Sequence, residues 1–258
     1  MQLRVPVGLT RTQLRRGGSA KTMSEALVVA IPSKGRIMDE SVQVFAKAGL
    51  TVRKTGHERG YRGTIQELSG IAVAFLSSSE IARELGAGNV HVGITGLDLV
   101  HENVPAWESR VEVLQTLGFG KADVVIAVPQ SWIDVTSVTD LESVAMAFRR
   151  VHGRRPRVAT KFINLTRNFL AANGVTSYLV VESLGATEGT PAAGTAELIV
   201  DITETGNTLK ANHLKVLTDD IILKSEAVLV RSKTAPWPKA TLAKLTELRV
   251  RLHATNTA

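Results

Sequence analysis

The sequence predicts an α/β protein with mostly parallel sheets and helices on both faces, and three observations carry that expectation. Short β-branched runs alternate with helical patterns from residue 27 onward. The runs are apolar throughout, as strands covered on both faces are. The helical stretches between them start and stop on recognisable signals.

The runs are LVVAIP (27–32), IAVAFL (71–76), VHVGIT (90–95), DVVIAVP (123–129), RVATKF (157–162), TSYLVV (176–181) and ELIVDI (197–202). Between them, RIMDESVQVFAKAG sets Ile37, Met38, Val42, Phe45 and Ala48 on one helical face and stops at Gly49. NLTRNFLAANG is expected to open on a capping Asn164 and to close at Gly174.

Two long extended stretches, 111–129 broken by Gly118 and Gly120 and 216–230, suggest two crossings between lobes. The expected division is residues 24–118 with 218–258 as lobe I and residues 119–217 as lobe II. One continuous sheet with a glycine-bearing bulge is the alternative. Residues 1–23 read as a disordered or over-long N-terminal extension, with Met23 the natural beginning, although an Arg-rich, acid-poor segment also describes a transit peptide.

Composition narrows the chemistry. With 258 residues, 44% of them hydrophobic, the chain can bury a sizeable core, and with no cysteine it has no disulfide, thiolate metal site or thiol nucleophile. Of the net charge of +7, five units sit on Arg4, Arg11, Arg15, Arg16 and Lys21, which leaves +2 for the rest and argues against a nucleic-acid face. No stretch reaches the roughly 20 apolar residues of a membrane span. A soluble, cytoplasmic protein is expected.

Four segments look built for an anion. After the strand ELIVDI, the turn TETGNT (203–208) uses Gly206 to swing the backbone into a helix, so successive amides face a concavity with Thr205 and Thr208 hydroxyls beside them. Asp201 and Glu204 would repel a bare phosphate, so a phosphate attached to a sugar, or accompanied by Mg²⁺, suits them better. An ordinary turn, with Asp201 and Thr205 capping local amides, is the alternative. IPSKGR (31–36) puts Lys34, Gly35 and Arg36 at a strand end, where α/β sheets expose their ligand edge, and HERGYRG (57–63) adds His57, Arg59 and Arg62 on a glycine-rich loop. Such cations suit a diphosphate leaving group, or are simply solvated. RVATKFINLTRNF (157–169) adds Lys161, Asn164 and Thr166 at a third edge.

Taken together, ESLGATEGTPAAGTAELIVDITETGNTL (182–209) resembles the signature of the ATP phosphoribosyltransferase family through Glu188, Gly194, Ala196, Ile199, Asp201, Thr205, Gly206, Thr208 and Leu209. SKGR, VGITGLDLVHEN (92–103) and RVATKFINLTRNFLAANG (157–174) resemble family segments in the same order, over roughly residues 25–230. The resemblance implies a two-lobed fold like the type II periplasmic binding proteins, with the site in the cleft between lobes. It implies Mg²⁺-dependent attack by N1 of ATP on C1 of 5-phosphoribosyl 1-diphosphate, the first step of histidine biosynthesis. Arg36, Arg59 and Asp201 would be catalytic. Glu188, Asp201, Thr203, Glu204, Thr205, Gly206, Asn207 and Thr208 would bind phosphoribosyl diphosphate, and Lys34, Gly35, Arg36, Arg59, Arg62 and Lys161 would face ATP or diphosphate, with Arg59 and Arg62 as alternatives for one role. Mg²⁺ would be held mainly by substrate phosphates. Only 28 residues follow Val230, which resembles the short form of the family. That form implies a homodimer within a hetero-octamer, with a regulatory subunit related to histidyl-tRNA synthetase through which histidine inhibits. Two other readings remain: a non-enzymatic two-lobed solute-binding protein, and a phosphoribosyltransferase for another base.

Overall fold

The computed structural model describes residues 26–55, 61–217 and 221–253. The chain divides into two compact units, one built from residues up to Gly120 together with those from Ala227 on, the other from Lys121–Glu226. The expected N-terminal extension, His57 and Arg59 lie outside the described residues.

The first unit opens with β1 (Leu27–Pro32), α1 (Arg36–Lys47), β2 (Val52–Thr55), β3 (Arg62–Ile65), β4 (Leu68–Leu76) and α2 (Ser78–Ala87). It continues with β5 (Val92–Gly96), α3 (Leu97–Asn103), α4 (Trp107–Arg110) and β6 (Val111–Thr116). The second unit runs through β7 (Ala122–Pro129), α5 (Val138–His152), β8 (Arg157–Thr160), α6 (Ile163–Ala172) and β9 (Leu179–Glu182). A 3₁₀ turn (Thr187–Gly189) follows, then β10 (Leu198–Thr203), α7 (Asn207–Ala211), β11 (Leu214–Val216) and β12 (Leu223–Ser225). The chain then returns to the first unit as β13 (Ala227–Ser232) and α8 (Lys239–His253). The second crossing therefore falls later than residue 217, because β12 pairs with β7 and stays with the second unit.

The first sheet has the order β2-β3-β4-β1-β5-β13-β6 and the second β11-β7-β10-β8-β9, with β12 also on β7. Both contain one arrangement: reading β4-β1-β5-β13-β6 beside β9-β8-β10-β7-β11, the strand that follows each crossing takes the fourth place. The sheets are mixed rather than mostly parallel. Parallel pairing joins β1 to β4 and β5, and β8 to β9 and β10. Crossovers return the chain to the same end of the sheet, as a parallel pair requires, through α6 alone between β8 and β9 and through α1 with the β2–β3 hairpin between β1 and β4. β13 and β7 instead pair antiparallel with all their neighbours, and the short strands β2 and β3 add a hairpin edge.

Strand β1 shows why its residues form a covered strand. Leu27, Val29 and Ile31 point to one face and pack with Phe45 of α1 and Leu245, Leu248 and Leu252 of α8. Ala30 points the other way, to Ile81, Ala82 and Leu85 of α2 and Val100 of α3. In the second unit, Val125, Ala127, Ala159 and Ile199 share a face with Leu209 of α7 and Leu214 of β11. One helix start differs from expectation. Asn164 lies inside α6, whose half-in residue is the buried Phe162, and the Phe162 N–H is taken by Thr160 Oγ1 at 2.9 Å.

Candidate active site

Strand β10 carries the site because its two ends differ in character. Leu198, Ile199 and Val200 are buried, and the polar residues begin only where the strand leaves the core, at Asp201 and Thr203. Alternation puts both on the face covered by α7. The antiparallel register with β7 sets Asp201 opposite Val125 and Thr203 opposite Asp123.

The turn beyond β10 is shaped by its glycine. Gly206 has φ 74° and ψ −3°, a left-handed conformation costly for residues with a Cβ, and its carbonyl accepts the first intrahelical bond of α7, from Lys210 N–H at 2.9 Å. The amides of Thr208 and Leu209 precede that bond, as in any helix start. Two turn amides are satisfied locally: Gly206 N–H by Thr203 Oγ1 at 2.8 Å and Asn207 N–H by Thr205 Oγ1 at 3.4 Å. Thr205, Asn207 and Thr208 are exposed. A cavity of about 230 Å³ opens beside the turn, lined by Asp123, Val125, Thr203, Glu204, Thr205, Gly206, Val216 and Ile221.

Asp201 itself is 8% exposed and engaged. Its Oδ1 accepts the Ile202 N–H at 2.8 Å and lies 3.2 Å from Lys161 Nζ. Lys161, just past the end of β8, has a half-exposed side chain and also lies over the Phe162 ring. Glu188 is half-buried in the 3₁₀ turn, which packs against β10. The segment between them is tied down by Glu197. Arg154 grips its carboxylate with two bonds of 3.0 and 2.8 Å, and Arg157 adds its backbone N–H at 2.7 Å and its Nη2 at 2.9 Å. Burial pushes the Glu197 carboxyl up, but these donors outweigh burial and hold it down at about 2.

The remaining expected site residues belong to the first unit. Lys34, Gly35 and Arg36 follow the end of β1, with Lys34 and Gly35 exposed and Gly35 (φ 80°) turning the chain into α1. Arg62 is not a loop residue: it opens β3, half-buried, opposite Thr55 on β2 and Ala74 on β4. Those short strands escape a sequence reading because they form the polar edge of the sheet; β2 has no buried residue. The residue that sequence reasoning missed in the second unit is Asp123. It begins an apolar run and reads as a strand-flanking acid, and only the β7–β10 register brings it to the turn. Among the described residues, no group of three or more His, Cys, Asp or Glu side chains could hold a metal ion. No described helix is long and apolar enough to cross a membrane.

The strand order common to the two units, each completed by the strand that follows a crossing, defines an α/β fold of the type II periplasmic-binding-protein class. Within that class, the sequence profile of the family described as ATP phosphoribosyltransferase matches residues 77–254. The ATP phosphoribosyltransferase of Rhodopseudomonas palustris is 56% identical over 219 residues, covering 85% of this chain and 67% of that protein. That of Mesorhizobium japonicum is 55% identical over 210 residues, covering 81% of this chain and 90% of that protein. The chain spans 66% of the length of the Nitrobacter winogradskyi relative, which is also 56% identical. A solved structure, the ATP phosphoribosyl transferase (HisG:HisZ) complex from Thermotoga maritima, has a chain that aligns with a TM-score of 0.68 at 23% identity, over 89% of this chain and 98% of that one. The chain belongs to the ATP phosphoribosyltransferase family.

Proposed function

We propose that this chain transfers the 5-phosphoribosyl group from 5-phosphoribosyl 1-diphosphate to N1 of ATP, the first step of histidine biosynthesis, in the cytoplasm. The observation that carries the reading is the β10 end: Asp201 and Thr203 on a paired strand, followed at once by a turn whose Thr205 and Gly206 line a cavity together with Thr203, in a chain of this family.

N1 of adenine attacks C1 of the sugar, the C1–O bond to diphosphate breaks with inversion, and diphosphate leaves with the electron pair. Because N1 is itself the nucleophile, no strong base is required. The Thr203–Thr208 turn holds the 5-phosphate through its amides and hydroxyls. Asp201 faces the ribose, oriented by its contact with Lys161. Glu204, on the cavity wall, and Glu188, on the 3₁₀ turn that packs against β10, add acidic groups for the sugar. Lys34 and Arg36, with Arg59 or Arg62, neutralise the phosphates of ATP and the departing diphosphate. The oxygen-rich residues near the turn suit Mg²⁺ carried chiefly on substrate phosphates, with one or two carboxylates at most. When bound, Mg²⁺ offsets the charge that develops on the leaving group.

The T. maritima protein is a complex of HisG with HisZ. The corresponding proposal for this chain is the short form: a homodimer within a hetero-octamer, with a regulatory subunit related to histidyl-tRNA synthetase that confers inhibition by histidine. The test is the Mg²⁺-dependent ultraviolet absorbance change on mixing the protein with ATP and phosphoribosyl diphosphate, with product identified by mass, with and without the regulatory subunit and histidine. Phosphoribosyl-ATP, with inhibition by histidine only when the partner is present, is the expected result. Bound substrates without product in either mixture would end the enzymatic reading.

A further inference from the structure

We infer that Asp123 is a specificity-determining residue of this site: its carboxylate accepts hydrogen bonds from the hydroxyls of the phosphorylated sugar whose phosphate the Thr203–Thr208 turn binds. The inference rests on the phosphoribosyl reading above and adds to it a residue that lies far away in sequence and on a different strand.

Three observations place the carboxylate. Asp123 is the direct cross-strand partner of Thr203, so the two side chains leave the same face of the sheet. It lines the cavity of about 230 Å³ together with Thr203, Glu204, Thr205 and Gly206, whereas Asp201 does not line that cavity. Among the described residues, no hydrogen bond or ion pair engages the Asp123 carboxylate, in contrast to Asp201, which is held by Lys161 and by the Ile202 amide. The flanking cation, Lys224, lies across from Asp123 on β12 and is exposed.

A half-buried acid beside an anion-binding turn weakens phosphate binding unless it gains something in return. Hydroxyl donors on the same ligand supply that return, since a bond from a hydroxyl to a carboxylate is of the stronger, charge-assisted kind. Glu204 also faces the cavity, but from the exposed turn. Asp123 is fixed on a strand paired on both sides, by β10 and β12, which is the better platform for a geometric choice between ligands.

The test compares wild type with Asp123→Asn, binding three ligands in EDTA by calorimetry: inorganic phosphate, ribose 5-phosphate, and tetrahydrofurfuryl phosphate, which keeps the ring oxygen and phosphate but lacks the hydroxyls. Wild type should prefer ribose 5-phosphate over the hydroxyl-free analogue by about tenfold or more. Asp123→Asn should lose most of that preference while inorganic phosphate binds as well or better, because a repelling charge has gone. Parallel weakening of all three ligands in the variant would show a structural role and overturn the inference. So would retention of the wild-type preference, or a preference that emerges only when Mg²⁺ is restored. Failure of wild type to bind any of the three phosphates would remove the phosphoribosyl reading itself, and the role of Asp123 with it.

Discussion

Replacing Glu197 by Gln should destabilise the unit that carries the turn, by an amount the Glu197 clamp sets. The carboxyl is held at about 2 instead of its ordinary 4.5, a difference that corresponds to an upper figure of about 3 kcal/mol. Arg154 is 46% exposed, so solvent screens its share, while Arg157 at 27% is better shielded; about 2–3 kcal/mol is the expected loss at pH 7. Because the folded carboxyl ionises below the unfolded one, the stabilisation is complete above the ordinary carboxylate range. It is lost as pH falls from about 4.5 toward about 2, by roughly 1.4 kcal/mol per pH unit. Urea titrations followed by fluorescence, with Trp132 reporting from this unit, should therefore give a gap between wild type and Glu197→Gln that is constant from pH 7 to pH 5 and narrows below. A gap under about 0.5 kcal/mol at pH 7, or one that does not shrink by pH 3, would refute the view that this clamp holds the segment leading into β10.

Gly206→Ala meets no atom within 4 Å, so its cost is the positive φ alone: about 1–2 kcal/mol in a thermal or urea melt, with a raised KM for phosphoribosyl diphosphate as the turn relaxes. Arg36→Ala and Asp201→Ala should each lower turnover by about a hundredfold or more while costing about 1 kcal/mol or less in urea, since Arg36 opens a helix at the surface and the Asp201 pair reaches a half-exposed lysine; wild-type kinetics in either variant removes that residue from the site. Burial against the Trp107 ring lowers the His101 pKa, against the opposing pull of Glu108 and Asp98. Stability linked to His101 is complete above its ordinary value near 6.5 and declines as pH falls below it, so melts between pH 8 and pH 5 should flatten in His101→Phe.

What could be read from the sequence was what depends on local pattern. LVVAIP coincides with β1 because nearly every residue in it is covered, and Gly49 and Gly174 mark helix ends because both have positive φ. The polar half of the site, Asp201 through Thr208, is contiguous, so strand, glycine turn and helix start appear in one stretch. Pairing direction left no such mark. DVVIAVP is as apolar as a parallel strand, yet β7 runs antiparallel to all its neighbours, since direction is set by where the chain enters the sheet. β2, β3 and β12 are short, with a polar edge too brief to give a period. The loop expected around Arg62 is a strand for that reason, and Asp123 escapes notice because its neighbourhood is made by register.

The same register would let acids and the proposed phosphate share this face of the second sheet. Asp201 and Asp123 sit on strands, and the amides proposed to meet the anion sit on the turn that begins past Thr203. Successive same-face residues on a strand are separated by about 7 Å, so the Asp201 carboxylate is displaced from the turn by a full strand period. Asp123, level with Thr203, is displaced sideways by one strand spacing, about 5 Å. A free phosphate in the turn meets two acids at these distances, of which Asp201 is already paired with Lys161 and Asp123 lies across from the exposed Lys224. On the proposed function, a phosphate that carries a sugar ring would fill the interval and turn both carboxylates into acceptors. On the proposed function Lys161 would compensate Asp201 while the ring is absent, and the Asp123 carboxylate, which no described residue hydrogen-bonds, would discriminate between ligands.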